Sequence, residues 1–262
     1  IALVHPAARA SQSRPRRAGA PHFFRVPQMK PAARIQAAIE VLDDILLRHR
    51  SAALALSDWG RSHRFAGSGD RSAIGNLVFD ALRRRRSIAA RFSSDTSRAL
   101  ALGAARTALG LSTQDVASGC DGTRHAPPPL NEAERAALDA AIPDHASPAE
   151  RADVPDWLWP SFQQAFGTTA EAEGAALAER APVDLRVNTL LTDRASVLAA
   201  LSRYKPAATS LSPTGIRIEA PRGGERQANV ESEAAHGRGW FEVQDEGSQI
   251  AALMSGAVAG EA

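Results

Sequence analysis

Arginine is the residue through which this chain could do most of its chemistry. Only Lys30 and Lys205 among its 31 basic residues are lysines. A guanidinium is planar and donates two parallel hydrogen bonds, which suits it to phosphate. The arginines gather in two places: Arg61, Arg64 and Arg71 lie in or just before the segment AGSGDRS, and Arg83, Arg84, Arg85 and Arg86 run without a break. Residues 1–125 hold 20 Lys+Arg against 9 Asp+Glu, whereas residues 126–262 hold 11 against 20. This asymmetry is hidden by a formal net charge of +2 and suggests a basic surface turned toward a polyanion. A genomic bias toward Ala and Arg would give the same excess of Arg over Lys.

Other chemistry is narrower. Cys120 is the single cysteine, which excludes an internal disulfide framework and a Cys-rich zinc site and favours a cytoplasmic setting. The seven histidines are scattered, with none at metal-ligand spacing to Cys or carboxylates. Gly67 and Gly69 hint at a phosphate loop, but Ser72 stands where a dinucleotide fingerprint needs its third glycine. The residues before it, Arg61 to Phe65, read as helix rather than strand. The segment is therefore a turn opening a helix. Its free backbone amides, with Arg61, Arg64 and Arg71, could still hold a phosphate. No apolar run approaches the roughly 18 residues that cross a bilayer.

Helices must position most of these side chains. Ile35, Ile39, Leu42 and Leu46 recur every three or four residues from Pro31 onward. Asp70 is placed to cap a helix burying Ile74, Leu77, Val78, Ala81 and Leu82, with Arg83 to Arg86 at its carbonyl end, where positive charge is favoured. Four consecutive helical residues point in different directions, so at most two of this run, taken as Arg83 and Arg84, can face one ligand. Further helices are predicted from Thr96 to Leu109 before Gly110, from Ser112 to near Gly119, and from Asn131, capped with Glu134, through Ala141. Pro148 and Pro155 sit at first-turn positions. Trp157, Leu158, Trp159, Phe162 and Phe166 form an aromatic stripe at helical spacing, read as core. Beyond Pro182 the period changes. Val183, Leu185 and Val187 alternate with Asp184, Arg186 and Asn188 as a half-buried strand, Thr192 caps a helix, and strands follow at Ile216–Ile218 and Trp240–Val243. A last short helix runs from Gly247 to Met254, its apolar residues Ile250, Leu253 and Met254 expected to be partly exposed.

Three stretches resemble the RsmB/NOP (Fmu/Sun) family of RNA cytosine-5 methyltransferases. They are RFAGSGDRSAIGNLVFDALRRRRSI at 64–88, PVDLRVNTLL at 182–191 and GWFEVQDEGSQIAAL at 239–253. The first is similar to the NusB-like helical domain preceding the enzyme in many members. The second is similar to the opening of the family's RNA-binding subdomain, and the third to the lead-in to its methyltransferase core. The resemblance implies methyl transfer from S-adenosylmethionine to C5 of a cytosine in RNA, ribosomal RNA above all, by way of a cysteine thiolate. It also implies a glycine-rich cofactor loop soon after the third stretch. Here Met254 is followed only by SGAVAGEA, and both catalytic cysteine motifs are missing. Cys120, in ASGCDGT, lacks their context.

The expected fold is thus mainly α, a NusB-like helical domain followed by a small α+β RNA-binding subdomain, with the Rossmann-like methyltransferase domain absent. The expected divisions are a leader or upstream translation at 1–28, the NusB-like domain at 29–119, a linker at 120–130, a helical connector at 131–181, the α+β subdomain at 182–243 and the start of a methyltransferase domain at 244–262. The expected function is the RNA-binding portion of the enzyme, monomeric, inactive alone and binding no S-adenosylmethionine or metal. RNA contacts are expected from Arg61, Arg64, Arg71, Arg83, Arg84, Arg186 and Asn188, with Gln244, Asp245 and Ser248 bordering the cofactor domain. The rival readings are a stand-alone NusB-like antitermination module and a decayed gene.

Overall fold

A computed structural model describes residues 28–221, 223 and 225–257. The expected leader, apart from residue 28, and the last five residues of the expected methyltransferase start lie outside the described residues.

Seven helices build the first unit: α1 (Pro31–Leu46), α2 (Ala52–Ser62), α3 (Ser68–Arg83), α4 (Arg85–Phe92), α5 (Ser97–Leu109), α6 (Thr113–Gly119) and α7 (Glu132–Asp139). Helices α1, α3 and α5 meet around Ile35, Leu42, Ile74, Leu77, Leu100 and Leu102, all sealed from solvent. Burying each such side chain contributes about 1.5–3 kcal/mol. Caps fall where their residue types predict. Thr96 accepts from the Ala99 N–H, Ser112 with Asp115 and Asn131 with Glu134 form reciprocal capping boxes, and Gly110 takes the left-handed conformation at φ 66°.

Several expectations need correction. Helix α3 starts at Ser68 rather than beyond Asp70, with Gly67 at the N-cap. The Asp70 carboxylate reaches back to the Gly67 N–H at 3.3 Å and also takes the Met29 N–H and the Arg34 guanidinium. It therefore ties α1 to α3. The arginine run spans two helices rather than ending one, because the chain breaks at Arg84 and resumes as α4. No Gly or Pro announces that break. Helix α4 lies so close to α5 that a Cβ on Gly103 would stand 2.4 Å from Ile88. The expected linker is folded onto the helical core: Cys120 and Leu130 are buried in it, as is Leu138 of α7. Arg98 fastens the proline run there, donating to Glu134 and to the Pro128 carbonyl. Helix α7 stops two residues short of Ala141.

Three short helices follow: α8 (Pro148–Arg151), α9 (Trp159–Phe166) and α10 (Ala170–Leu177). Ser147 and Glu150 cap α8 reciprocally. The aromatic stripe is not core. Helix α9 buries no residue, Trp157 precedes it at 80% exposure and Phe166 is 42% exposed. Its rings pack on one another instead, Phe162 and Phe166 with centroids 4.6 Å apart. Helical spacing gives a common face but does not say what covers it. Trp157→Ala is accordingly expected to change unfolding free energy by less than about 0.5 kcal/mol, measured by urea denaturation. A core tryptophan would cost several times that.

The second unit runs β1 (Val183–Val187), α11 (Arg194–Ala200), β2 (Ala207–Ala208), β3 (Gly215–Ile218), α12 (Ala234–Gly237), β4 (Phe241–Val243), then α13 (Glu246–Met254). The sheet order is β2-β3-β1-β4, every pairing antiparallel. Strands β1 and β2 both oppose β3, so they run parallel to each other with β3 between them and α11 as the crossover. Leu185, Val187, Ile216, Ile218 and Phe241 join Val197 and Leu201 of the α11 segment in one apolar layer. The sequence identified β1, β3 and β4 but not β2 or α12, each too short for a period to appear. Asp193, not Thr192, caps α11. Asp184, read as a solvent-facing residue of β1, is 6% exposed. The expected exposure on α13 is observed: Leu253 and Met254 are 55% and 82% exposed, and Ile250 is half-buried.

One buried ion pair joins the two units. The Arg180 guanidinium donates to both oxygens of Asp80 on α3, at 3.0 and 2.8 Å, and to the carbonyls of Pro221 and Gly223. Arg83 binds the same carboxylate.

Candidate nucleic-acid interface

The residues singled out from sequence lie in three places. Arg61, Arg64 and Arg71 are exposed around the end of α2 and the start of α3. Arg61 pairs with Asp58, and the Arg71 Nε donates to the Ala66 carbonyl at 3.0 Å. Each arginine of the run at the α3–α4 junction is ion-paired: Arg83 with Asp80, Arg84 with Glu179, Arg85 with Asp95 and Arg86 with Asp156. Two of these pairs, those of Arg84 and Arg86, reach segments 95 and 70 residues away, so the run serves as internal fastening as well as surface charge. A phosphate at Arg83 or Arg84 must compete with a resident carboxylate.

In the second unit, Arg186 projects from β1, its Nε donating to Gln244 Oε1 at 2.6 Å. The Asn188 amide nitrogen donates to the Gly239 carbonyl at 3.0 Å, and its oxygen accepts from the Leu190 N–H. Asn188 thereby shapes the turn after β1 and links it to the lead-in of β4.

The fold creates a cleft that no local motif announces. It lies between α3 and the α+β unit, encloses about 950 Å³, and is lined by Arg83, Arg180, Arg203 and Arg226 together with Phe79 and Tyr204. No carboxylate belongs to the lining, although Asp80 and Glu233 pair from behind with Arg180 and Arg203. Arg226 and Asn76 bridge its two walls, through Ser72 Oγ at 3.2 Å and the Glu225 carbonyl at 2.9 Å. Arg203 stacks over Tyr204, 4.6 Å from the ring centroid, and Phe79 is 41% exposed. Guanidinium groups can take phosphates here while the aromatic rings offer faces for bases. Sequence reading missed Arg180, Arg203 and Arg226 because each stands alone in an ordinary context.

Beneath β1 lies a polar network, also unforeseen. Asp184 faces Arg217 across the β1–β3 pair and accepts from its Nε and Nη2, both at 2.7 Å, and from the Glu246 N–H at 3.1 Å. Arg217 above all holds the Asp184 carboxyl below its ordinary value. Glu246 is held low by the Thr209 hydroxyl and by the Ser212 and Leu211 amides. Gln249, 2% exposed, donates to the carbonyls of Leu185 and Gln244 and accepts from Ser212 Oγ at 2.7 Å. The polar residues of QDEGSQ thus anchor α13 to the sheet.

Gln244, Asp245 and Ser248 are engaged by partners within the chain. Asp245 caps its own helix through the Ser248 N–H at 3.2 Å, and Gln244 is taken up by Arg186. The sheet of the described residues is antiparallel throughout. Cys120 lies within the helical core. It is 2% exposed, and burial raises its thiol pKa, away from the reactive thiolate. No group of three or more His, Cys, Asp or Glu residues capable of holding a metal ion occurs among the described residues. No described helix is long and apolar enough to cross a membrane.

Residues 154–223 match the family model described as Methyltr_RsmF/B-like, ferredoxin-like domain. Among solved structures, a crystal structure of PH0851 is similar, at 17% identity and a TM-score of 0.49. The match covers 87% of this chain and 56% of that one, so this chain spans little more than half its length. None of the curated proteins matches.

Proposed function

We propose that this chain, whose residues 154–223 match the RsmF/B-like ferredoxin-like domain model, is the RNA-engaging portion of an S-adenosylmethionine-dependent RNA cytosine-5 methyltransferase. Its substrate in this reading is ribosomal RNA, and α1–α7 act as a NusB-like RNA-binding domain. The single observation that carries the reading is the arginine-lined cleft between that domain and the sheet. Four guanidiniums there set affinity and salt sensitivity through phosphates, while stacking on Phe79 and Tyr204 accommodates unpaired bases. Arg61, Arg64, Arg71, Arg84 and Arg186 extend the basic surface around it, and Asn188 supports the turn that carries Leu190 and Leu191. The lone cysteine is buried, so in this reading the attacking thiolate, like the cofactor loop, belongs to residues other than these, and these residues alone do not transfer methyl groups.

The test is fluorescence anisotropy with single-stranded RNA on Arg203→Gln and Arg226→Gln, both exposed and on the cleft rim. Affinity is expected to fall by about tenfold per arginine, and the slope of log affinity against log salt to lessen by about one. Unchanged affinity and slope in the double variant would refute the reading.

A further inference from the structure

A second cavity, of about 600 Å³, opens where α4 crosses the C-terminal half of α5. It is lined by Arg84, Arg91 and Arg106, with the hydroxyl residues Ser87, Thr107 and Ser112 around them and no carboxylate in its wall. Arg84 and Arg106 spend part of their charge on Glu179 and Asp139, exposed at 67% and 68%. Arg91 has no ion pair among the described residues. Its Nη2 donates to the Gly103 carbonyl at 3.2 Å, while its Nε is buried without a hydrogen-bond partner. Burial depresses the Arg91 pKa, and so does repulsion from Arg106 and Arg84. The opposing charge that acts on it, Asp153, is engaged by the Ser87 amide and hydroxyl at 2.8 and 2.6 Å. Three cations therefore face one open recess whose own wall carries no carboxylate, and an oxyanion seated among them would relieve their mutual repulsion.

The cavity is not isolated. A recess between it and the arginine cleft is lined by Arg180, shared with the cleft, by Arg84 and Thr107, shared with the cavity, and by the ion-pair partners of the two arginines, Asp80 and Glu179. We propose that the cavity is a second phosphate seat, holding the backbone of the same RNA strand after it leaves the cleft. This inference rests on the reading of the cleft as an RNA site, and it adds Arg91 and Arg106 to the contact surface.

The experiment uses the 262-residue chain and single-stranded oligouridylates of about 4 and about 12 nucleotides, spanning the range of strand lengths that one small binding domain covers. Arg91→Gln and Arg106→Gln are combined, with Arg91→Lys as a second variant that keeps the charge but not the planar fork. Arg48→Gln removes one charge from an exposed site elsewhere and serves as the control. Thermal melts establish that each variant folds. The combined variant is expected to lose about tenfold in affinity for the longer strand and to lower its salt slope by about one or more. It should bind the shorter strand as before, and Arg48→Gln should bind both normally. If Arg226→Gln weakens binding while the combined variant leaves the longer strand unaffected, the second seat is lost and the cleft reading stands. If neither weakens binding, the cleft reading itself fails. If inorganic phosphate at matched ionic strength raises the melting temperature of the wild type but not of the combined variant, and RNA affinity is unchanged, the cavity takes free phosphate and the RNA assignment is overturned.

Discussion

Asp80→Ala is expected to lower the unfolding free energy by about 3–5 kcal/mol, the cost of removing one member of an enclosed ion pair. Asp80 is 4% exposed, and the Arg180 side chain opposite is 14% exposed. Loss of the carboxylate leaves two guanidiniums, those of Arg180 and Arg83, partly withdrawn from water with no anion between them. The same change cuts a largely buried charged tie between the helical unit and the sheet, and it does so at the edge of the arginine cleft. Urea denaturation gives the stability. A double-mutant cycle with Arg180→Met isolates the pair, and the second change should then add far less than it costs alone. A loss below about 1 kcal/mol would mean that water reaches the pair and that the two units are joined by other means.

Asp184→Ala is expected to cost about 2 kcal/mol, less than Asp80 because its partner Arg217 is 37% exposed and better screened. This substitution also strips an acceptor from the Glu246 N–H and so loosens the start of α13. The native network predicts a pH dependence whose sign can be worked out. Asp184 and Glu246 both have folded values below their ordinary 3.8 and 4.5. Their contribution is therefore complete above those ordinary values and is lost as pH falls through the lower folded ones. Stability of the wild type should decline below about pH 4.5, where the unfolded carboxylates begin to take up protons. Asp184→Ala should show a shallower decline over the same range. Equal slopes in the two proteins would remove Asp184 from the account.

Much of this architecture was legible in the residues. Capping signals worked because they are local: Ser112 with Asp115 and Asn131 with Glu134 carry both halves of a reciprocal hydrogen bond within four residues. The alternation of Leu185 and Val187 was legible for the same reason. Failures came where a side chain's partner lies far along the chain. Arg180 looks like any exposed arginine until the fold brings it to Asp80, 100 residues earlier. Asp184 looks like the polar half of a strand until Arg217 covers it. The tryptophan-bearing helix misled in the opposite direction, because amphipathic spacing reports a face and not its neighbour. The candidate cleft was invisible for a related reason. Its walls come from α3, from the segment before β1 and from the stretches around Tyr204 and Arg226, so no single stretch carries it.

The sheet ends in two very short strands, β2 with two residues and β4 with three. An outermost strand ordinarily offers a row of unpaired amides and carbonyls onto which another chain can zip. Here each border presents so few of them that an incoming strand could form only a couple of bonds before running out of template. The architecture therefore resists growing into a fibre by lateral addition.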